Sequence, residues 1–207
     1  EILEKRQGDL DDALTRYAEA VEIDPTHAPS IDALIRITRS AEHRSRAVEL
    51  VEPLLRAQGR FDDLVQLIEA GLVGSEDGFA RRAVLQRVAE LHAHSRGKPA
   101  DAFLALCRAL AEDPSDEALV ADVERLARQL GRYDALAGVL SAEAAAVPDS
   151  VVAAALYLRL GRIYEEELRD DARAIDAFAQ ACEREEDGGT LVALHRLYER
   201  TQRWSDL

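Results

Sequence analysis

The sequence predicts an all-α chain of about eleven short helices, and three observations carry that prediction. Alanine and leucine dominate a hydrophobic fraction of 47%, aromatics are only 5%, and Gly and Pro are few; Ala, Leu, Arg and Glu lose little conformational freedom in a helix. No β-branched or aromatic run alternates at a period of two, as a half-buried strand requires. Turn signals punctuate the chain at short intervals: Asp24-Pro25, Gly59, Gly74 to Gly78, Gly97-Lys98-Pro99, Asp113-Pro114-Ser115, Gly131, Pro148-Asp149 and Asp187-Gly188-Gly189.

Between those breaks the apolar spacing predicts helices over 9–23, 28–40, 43–57, 61–74, 79–95, 99–112, 116–130, 133–146, 149–168, 171–185 and 189–201. Ser115, followed by Glu117, and Asp149, before Ser150, are expected to offer side-chain oxygens to free helix N–H groups. Connections this short make consecutive helices antiparallel neighbours, stacked in one direction.

Two internal repeats overlie this pattern. In the run Gly8 to Pro25, small residues fall at Ala13 and Ala20, an aromatic at Tyr17, and a proline closes the helix. The frame returns from Gly97 through Ala102, Phe103, Leu106, Ala109 and Asp113-Pro114, and again at Ala174, Phe178 and Ala181; Ala47, Val48, Val51 and Leu54 echo it weakly. Alanines seven apart let a neighbouring helix approach closely, and the large residue between them fills the groove. The longer repeat is Gly59-Arg60-Phe61-Asp62-Asp63-Leu64, recurring as Gly131-Arg132-Tyr133-Asp134-Ala135-Leu136 and Gln202-Arg203-Trp204-Ser205-Asp206-Leu207, in steps of 72 and 71 residues. At the same step Leu91 maps to Ile163 and Phe103 to Ile175.

The run Gly8–Pro25 resembles the second helix of the tetratricopeptide repeat, a helix-turn-helix unit of about 34 residues. Leu160-Gly161-Arg162-Ile163-Tyr164 resembles the Leu-Gly-x-x-Tyr signature of its first helix. The Trp expected before that signature is Tyr157, and the stretch from Tyr164 to Ala174 is one residue longer than the family pattern. The resemblance implies a right-handed α-solenoid of antiparallel helix hairpins over residues 1–207, with degenerate repeats. With no initiating Met at Glu1, and an ending inside a third long repeat, the chain is expected to be a fragment of a longer repeat protein. One conflict is visible: helices 9–23 and 99–112 carry the same motif yet stand an odd number of elements apart. Either a boundary within 24–60 differs, or degenerate units exchange inner and outer roles.

Charge and motifs narrow the function. Asp and Glu number 40 against 26 Lys and Arg, a net charge of −14, which repels phosphate backbones and keeps an elongated protein soluble. Nucleic-acid binding and membrane insertion are therefore not expected, and no apolar run reaches 18 residues. Glu1–Arg6 is not a signal peptide, so the cytoplasm is the expected compartment, with the natural N-terminus missing. Cys107 and Cys182 read as small buried hydrophobes. The glycines from Gly71 to Gly78 lack phosphate-loop spacings, GxSxG and HExxH are absent, and His92 and His94 point about 200° apart on a helix. Carboxylate pairs such as those in Glu165-Glu166-Glu167 read as solvated helix faces. No cofactor, metal or catalytic residue is expected.

The resemblance implies a protein–protein interaction scaffold or adaptor that takes a peptide or helix in its concave face. An alternative is a regulatory repeat domain of a larger protein, with a catalytic or sensor region elsewhere. The motif frame places Lys5, Arg6, Arg36, Arg39, Arg87 and Arg162 toward the groove, suited to an acidic peptide through Arg–carboxylate bonds. The Asn-based carboxylate clamp of chaperone-binding members is excluded, because the sequence contains no Asn. Trp204 is read as a packing residue between repeats.

Overall fold

A computed structural model describes residues 10–72, 75–185 and 187–203; Lys5, Arg6 and Trp204 lie outside the described residues. Eleven α-helices and no strand are found among them: α1 (Leu10–Ile23), α2 (Ala28–Ile37), α3 (Arg44–Ala57), α4 (Phe61–Ala70), α5 (Gly78–Glu90), α6 (Pro99–Glu112), α7 (Glu117–Leu130), α8 (Tyr133–Ala146), α9 (Ser150–Arg162), α10 (Asp171–Arg184) and α11 (Gly188–Thr201). The chain falls into two compact units, Glu1–Lys98 and Pro99–Leu207. Within each, every helix packs on the next in sequence.

The helices form where local chemistry favours them. Asp149 accepts from Val151 N (2.9 Å) and Val152 N (3.2 Å), capping α9 as expected. At α7 the cap is Asp116, whose Oδ1 accepts from Leu119 N (3.0 Å). Ser115 was expected there, but its hydroxyl turns back to Asp113 Oδ1 (2.6 Å), a bond within the Asp-Pro-Ser turn. Two helices end early. α2 stops at Ile37 rather than residue 40, because Thr38 Oγ1 donates to Ile35 O (2.7 Å) and the Arg39 and Ser40 N–H groups bond only three residues back. α4 stops at Ala70, with the Gly71 N–H on Ile68 O (3.0 Å).

The 72-residue step is a structural period. Five-residue π-helical turns follow α5 and α9, at Leu91–Ser95 and Ile163–Glu167. In the first, Arg96 N donates to Leu91 O (3.1 Å) and Lys98 N to His92 O (2.8 Å); in the second, Leu168 N donates to Ile163 O (3.0 Å) and Asp170 N to Tyr164 O (2.8 Å). The stretch from Tyr164 to Ala174, like its counterpart of equal length from His92 to Ala102, begins in this wide turn. A left-handed residue follows each, Gly97 (φ +59°) and Arg169 (φ +55°). Gly59, Gly131 and Gln202 share a left-handed stop (φ +67°, +63° and +59°), after which Arg60, Arg132 and Arg203 donate to Leu55 O, Ala127 O and Tyr198 O, each at 2.9 Å.

Each core follows the helical period. Leu119, Val120, Val123, Leu126 and Ala127 form the buried stripe of α7, and Ala174, Ile175, Ala177, Phe178 and Ala181 that of α10. Phe178 packs with Ile175, Leu194 and Leu197; burying such a ring contributes about 1.5–3 kcal/mol. The glycine of the Leu-Gly-x-x-Tyr signature has a packing reason: a Cβ on Gly161 would sit 2.6 Å from Phe178 Cδ1. The Tyr of that signature, Tyr164, has the Arg173 guanidinium 4.7 Å above its ring. The boundaries at α2 and α3 leave α1 and α6 five elements apart, so the shared alanine motif occupies both parities.

Candidate functional site

Ion pairs tie alternate helices together within each unit. In the first unit His43 Nε2 on the α3 side lies 3.4 Å from Asp11 Oδ1 on α1, and Arg60 Nη2 at the start of α4 lies 3.0 Å from Asp32 Oδ1 on α2. Arg87 on α5 bonds Glu52 on α3, which also receives Arg56 at 3.3 Å. In the second unit Arg159 on α9 reaches Glu124 on α7 at 3.1 Å and also bonds Glu117. Glu165, buried in the turn after α9, receives Arg196 (2.7 Å) and Arg200 (3.2 Å) from α11. Glu52 with Arg87 and Glu124 with Arg159 stand one 72-residue step apart. One locking pair is therefore built twice.

Each lock borders a cleft. The second-unit cleft, of about 160 Å³, receives Glu124 and Arg128 from α7, Tyr133 and Leu136 from α8, Arg159 and Arg162 from α9, and Ile163, Glu166 and Glu167 from the following turn. The first-unit cleft is wider, about 880 Å³. It takes Arg56 from α3, Phe61 from α4, Ala83, Gln86, Arg87 and Glu90 from α5, and Leu91, His94 and Ser95 from the turn. Seven of these positions coincide at the 72-residue step: Arg56 with Arg128, Phe61 with Tyr133, Arg87 with Arg159, Glu90 with Arg162, Leu91 with Ile163, His94 with Glu166 and Ser95 with Glu167. An aromatic ring and an aliphatic side chain line each cleft, and charged groups line it beside them. The α5 and α9 stripes both begin on an exposed apolar residue, Phe79 and Val151, themselves one step apart.

The arginines expected in one groove are distributed differently. Arg87 and Arg162 each line a cleft, but in separate units and at different register: Arg87 corresponds to Arg159, and Arg162 to Glu90. Arg36 is exposed in the last turn of α2. Arg39 was expected on a helix and lies instead in the turn after α2, because that helix ends at Ile37. Lys5 and Arg6 fall outside the described residues. Missing from the expected set are Arg56, Arg128, Arg159 and the aromatic pair Phe61 and Tyr133. Their signal was present, since each pair recurs at the step that aligns Gly59 with Gly131.

The ionisable groups elsewhere have structural explanations. Burial pushes the half-buried Cys107 thiol up to about 11, which suppresses its thiolate. Hydrogen bonds from Arg173 hold the Asp170 carboxyl below the usual range, and bonds from Thr190 do the same for Asp187; both are helix caps. Among the described residues no group of three or more His, Cys, Asp or Glu is arranged to hold a metal ion. No helix among them is long and apolar enough to cross a membrane. Comparison with protein-family models and with curated proteins gives no match for this chain.

Proposed function

We propose that this chain is a non-catalytic protein–protein interaction scaffold of tetratricopeptide-like repeats, in which a peptide or helix of a partner docks into the repeated clefts. The observation that carries the reading is the recurrence of one cleft, with its aromatic wall and its Arg–Glu lock, at a single 72-residue step. Repeat proteins use such recurrence to offer similar pockets to successive parts of an extended partner. Half-open clefts with apolar floors and charged rims suit short segments, which gain affinity from a few buried side chains and orientation from the rim.

The test is affinity capture with the intact chain and with a version carrying Ser95→Trp and Glu167→Trp, which places bulk at matching positions of the two clefts. Both positions are exposed, and circular dichroism checks that helicity is kept. Proteins held by the unmodified chain are expected to be lost from the filled one, with direct binding then measured on the purified partner. Equal retention by both forms overturns the proposal, as does a stoichiometric cofactor purifying with the chain.

A further inference from the structure

The two clefts share an architecture and differ in where their charges fall. In the first unit Arg56 and Arg87 share the single carboxylate of Glu52, and Glu90 adds a second negative charge. In the second unit Glu124 is engaged by Arg159, which also holds Glu117. Arg128, the counterpart of Arg56, is left with no ion-pair partner among the described residues, and so is Arg162, which replaces Glu90. Both side chains are exposed. Glu166, in place of His94, and Glu167 stand one turn further along the same helix.

This second cleft is thus lined by two guanidinium groups without a carboxylate partner, by the apolar surface of Tyr133 and Ile163, and by the carboxylates of Glu166 and Glu167. An exposed guanidinium beside an apolar wall gains most from a carboxylate, which it can take in a two-point hydrogen bond. A like-charged group at the same place is rejected, so Glu90 turns the acidic end of such a segment away from the first cleft. From this we infer that the second-unit cleft selects an amphipathic segment of a partner protein with three features. An acidic side chain meets Arg128 and Arg162, an aliphatic one rests against Tyr133 and Ile163, and a basic one meets Glu166 and Glu167. The inference rests on the docking function proposed above and names the partner chemistry of one of its two sites.

The experiment uses the full chain and a fluorescein-labelled, helix-forming peptide of about 15 residues carrying Glu, Leu and Lys at successive turns of one face. Titration by anisotropy and calorimetry is expected to give one peptide per chain. Arg128→Glu with Arg162→Glu weakens that binding by tenfold or more, and a peptide with Lys in place of the Glu binds this variant better than the unmodified chain. Glu90→Arg with His94→Glu and Ser95→Glu places the second-unit residues at the three coinciding positions that differ in charge, and raises the count from one peptide to two. The rescue by the exchanged peptide separates lost charge complementarity from lost fold. Equal affinity for both arginine forms, or an unchanged count in the rebuilt first cleft, overturns the inference. If those results stand while the filled clefts still abolish partner capture, the charge assignment falls and the docking function survives.

Discussion

Gly161 is held in its helix by a neighbouring ring, and replacing it tests that packing. A Cβ at this position would lie 2.6 Å from Phe178 Cδ1 and Cε1 and 2.8 Å from Cζ, whereas ordinary contact begins at 3.4 Å. Phe178 is 1% exposed and cannot swing away. Forcing a methyl into such a core costs about 1–3 kcal/mol. Alanine's better helix propensity returns about 1 kcal/mol, so Gly161→Ala should lose up to about 2 kcal/mol net. For a chain of this size that lowers the thermal midpoint by up to about 8 °C, read by circular dichroism at 222 nm. The repeat supplies the control. One step earlier the corresponding positions are Ala89 and Leu106, a larger residue with a smaller one. Phe178→Leu alone should cost about 1 kcal/mol through the space it leaves. Combined with Gly161→Ala it should recover at least about 1 kcal/mol relative to the sum of the two single changes. A stabilised Gly161→Ala, or strict additivity in the double variant, refutes the packing argument.

Arg169 is exposed and holds φ +55° where the equivalent Gly97 holds +59°; Arg169→Gly should raise stability by about 0.5–1 kcal/mol in urea unfolding, because it relieves the left-handed strain of a residue with a Cβ. Glu165 is the buried carboxylate that receives both α11 arginines. Glu165→Ala should loosen α11 by about 1–2 kcal/mol, seen as faster amide exchange in α11 with α7 and α8 unchanged. Burial raises the Glu143 carboxyl above its ordinary value. The folded chain therefore holds its proton more tightly than the unfolded chain, and ionisation at neutral pH opposes folding. Glu143→Gln should be the more stable form at pH 7, and its advantage should vanish as the pH falls through the ordinary glutamate range; an advantage that grows in acid contradicts the sign.

The helices were legible in the sequence because they depend on near neighbours. Apolar spacing at three and four residues, Asp149 before α9 and Pro99 at the start of α6 act within a turn or two of chain, and those elements stand where the pattern puts them. The breaks at Gly59 and Gly131 were equally plain, since glycine takes the left-handed conformation of such a helix stop without strain. Local competition misled the reading at α2. Thr38 and Arg39 continue a helical pattern in composition, yet the Thr38 hydroxyl takes the Ile35 carbonyl and stops the helix, so Arg39 leaves the face assigned to it.

The clefts are a different matter. The 72-residue step was visible, and with it the pairing of Arg56 with Arg128 and Arg87 with Arg159. Which of these arginines a carboxylate would neutralise was not, because Glu52 and Glu124 choose partners across helices, and that choice depends on the rotation and rise of one helix against another. Glu52 takes both Arg56 and Arg87, while Glu124 is engaged by Arg159 and leaves Arg128 open. By itself the sequence determined the number, type and period of the helices, since propensity, capping and turn residues act over a few bonds. The tertiary structure decided which repeated side chains share a cleft and which charge stays exposed there, since Coulomb and packing energies depend on distances that only the assembled helices define.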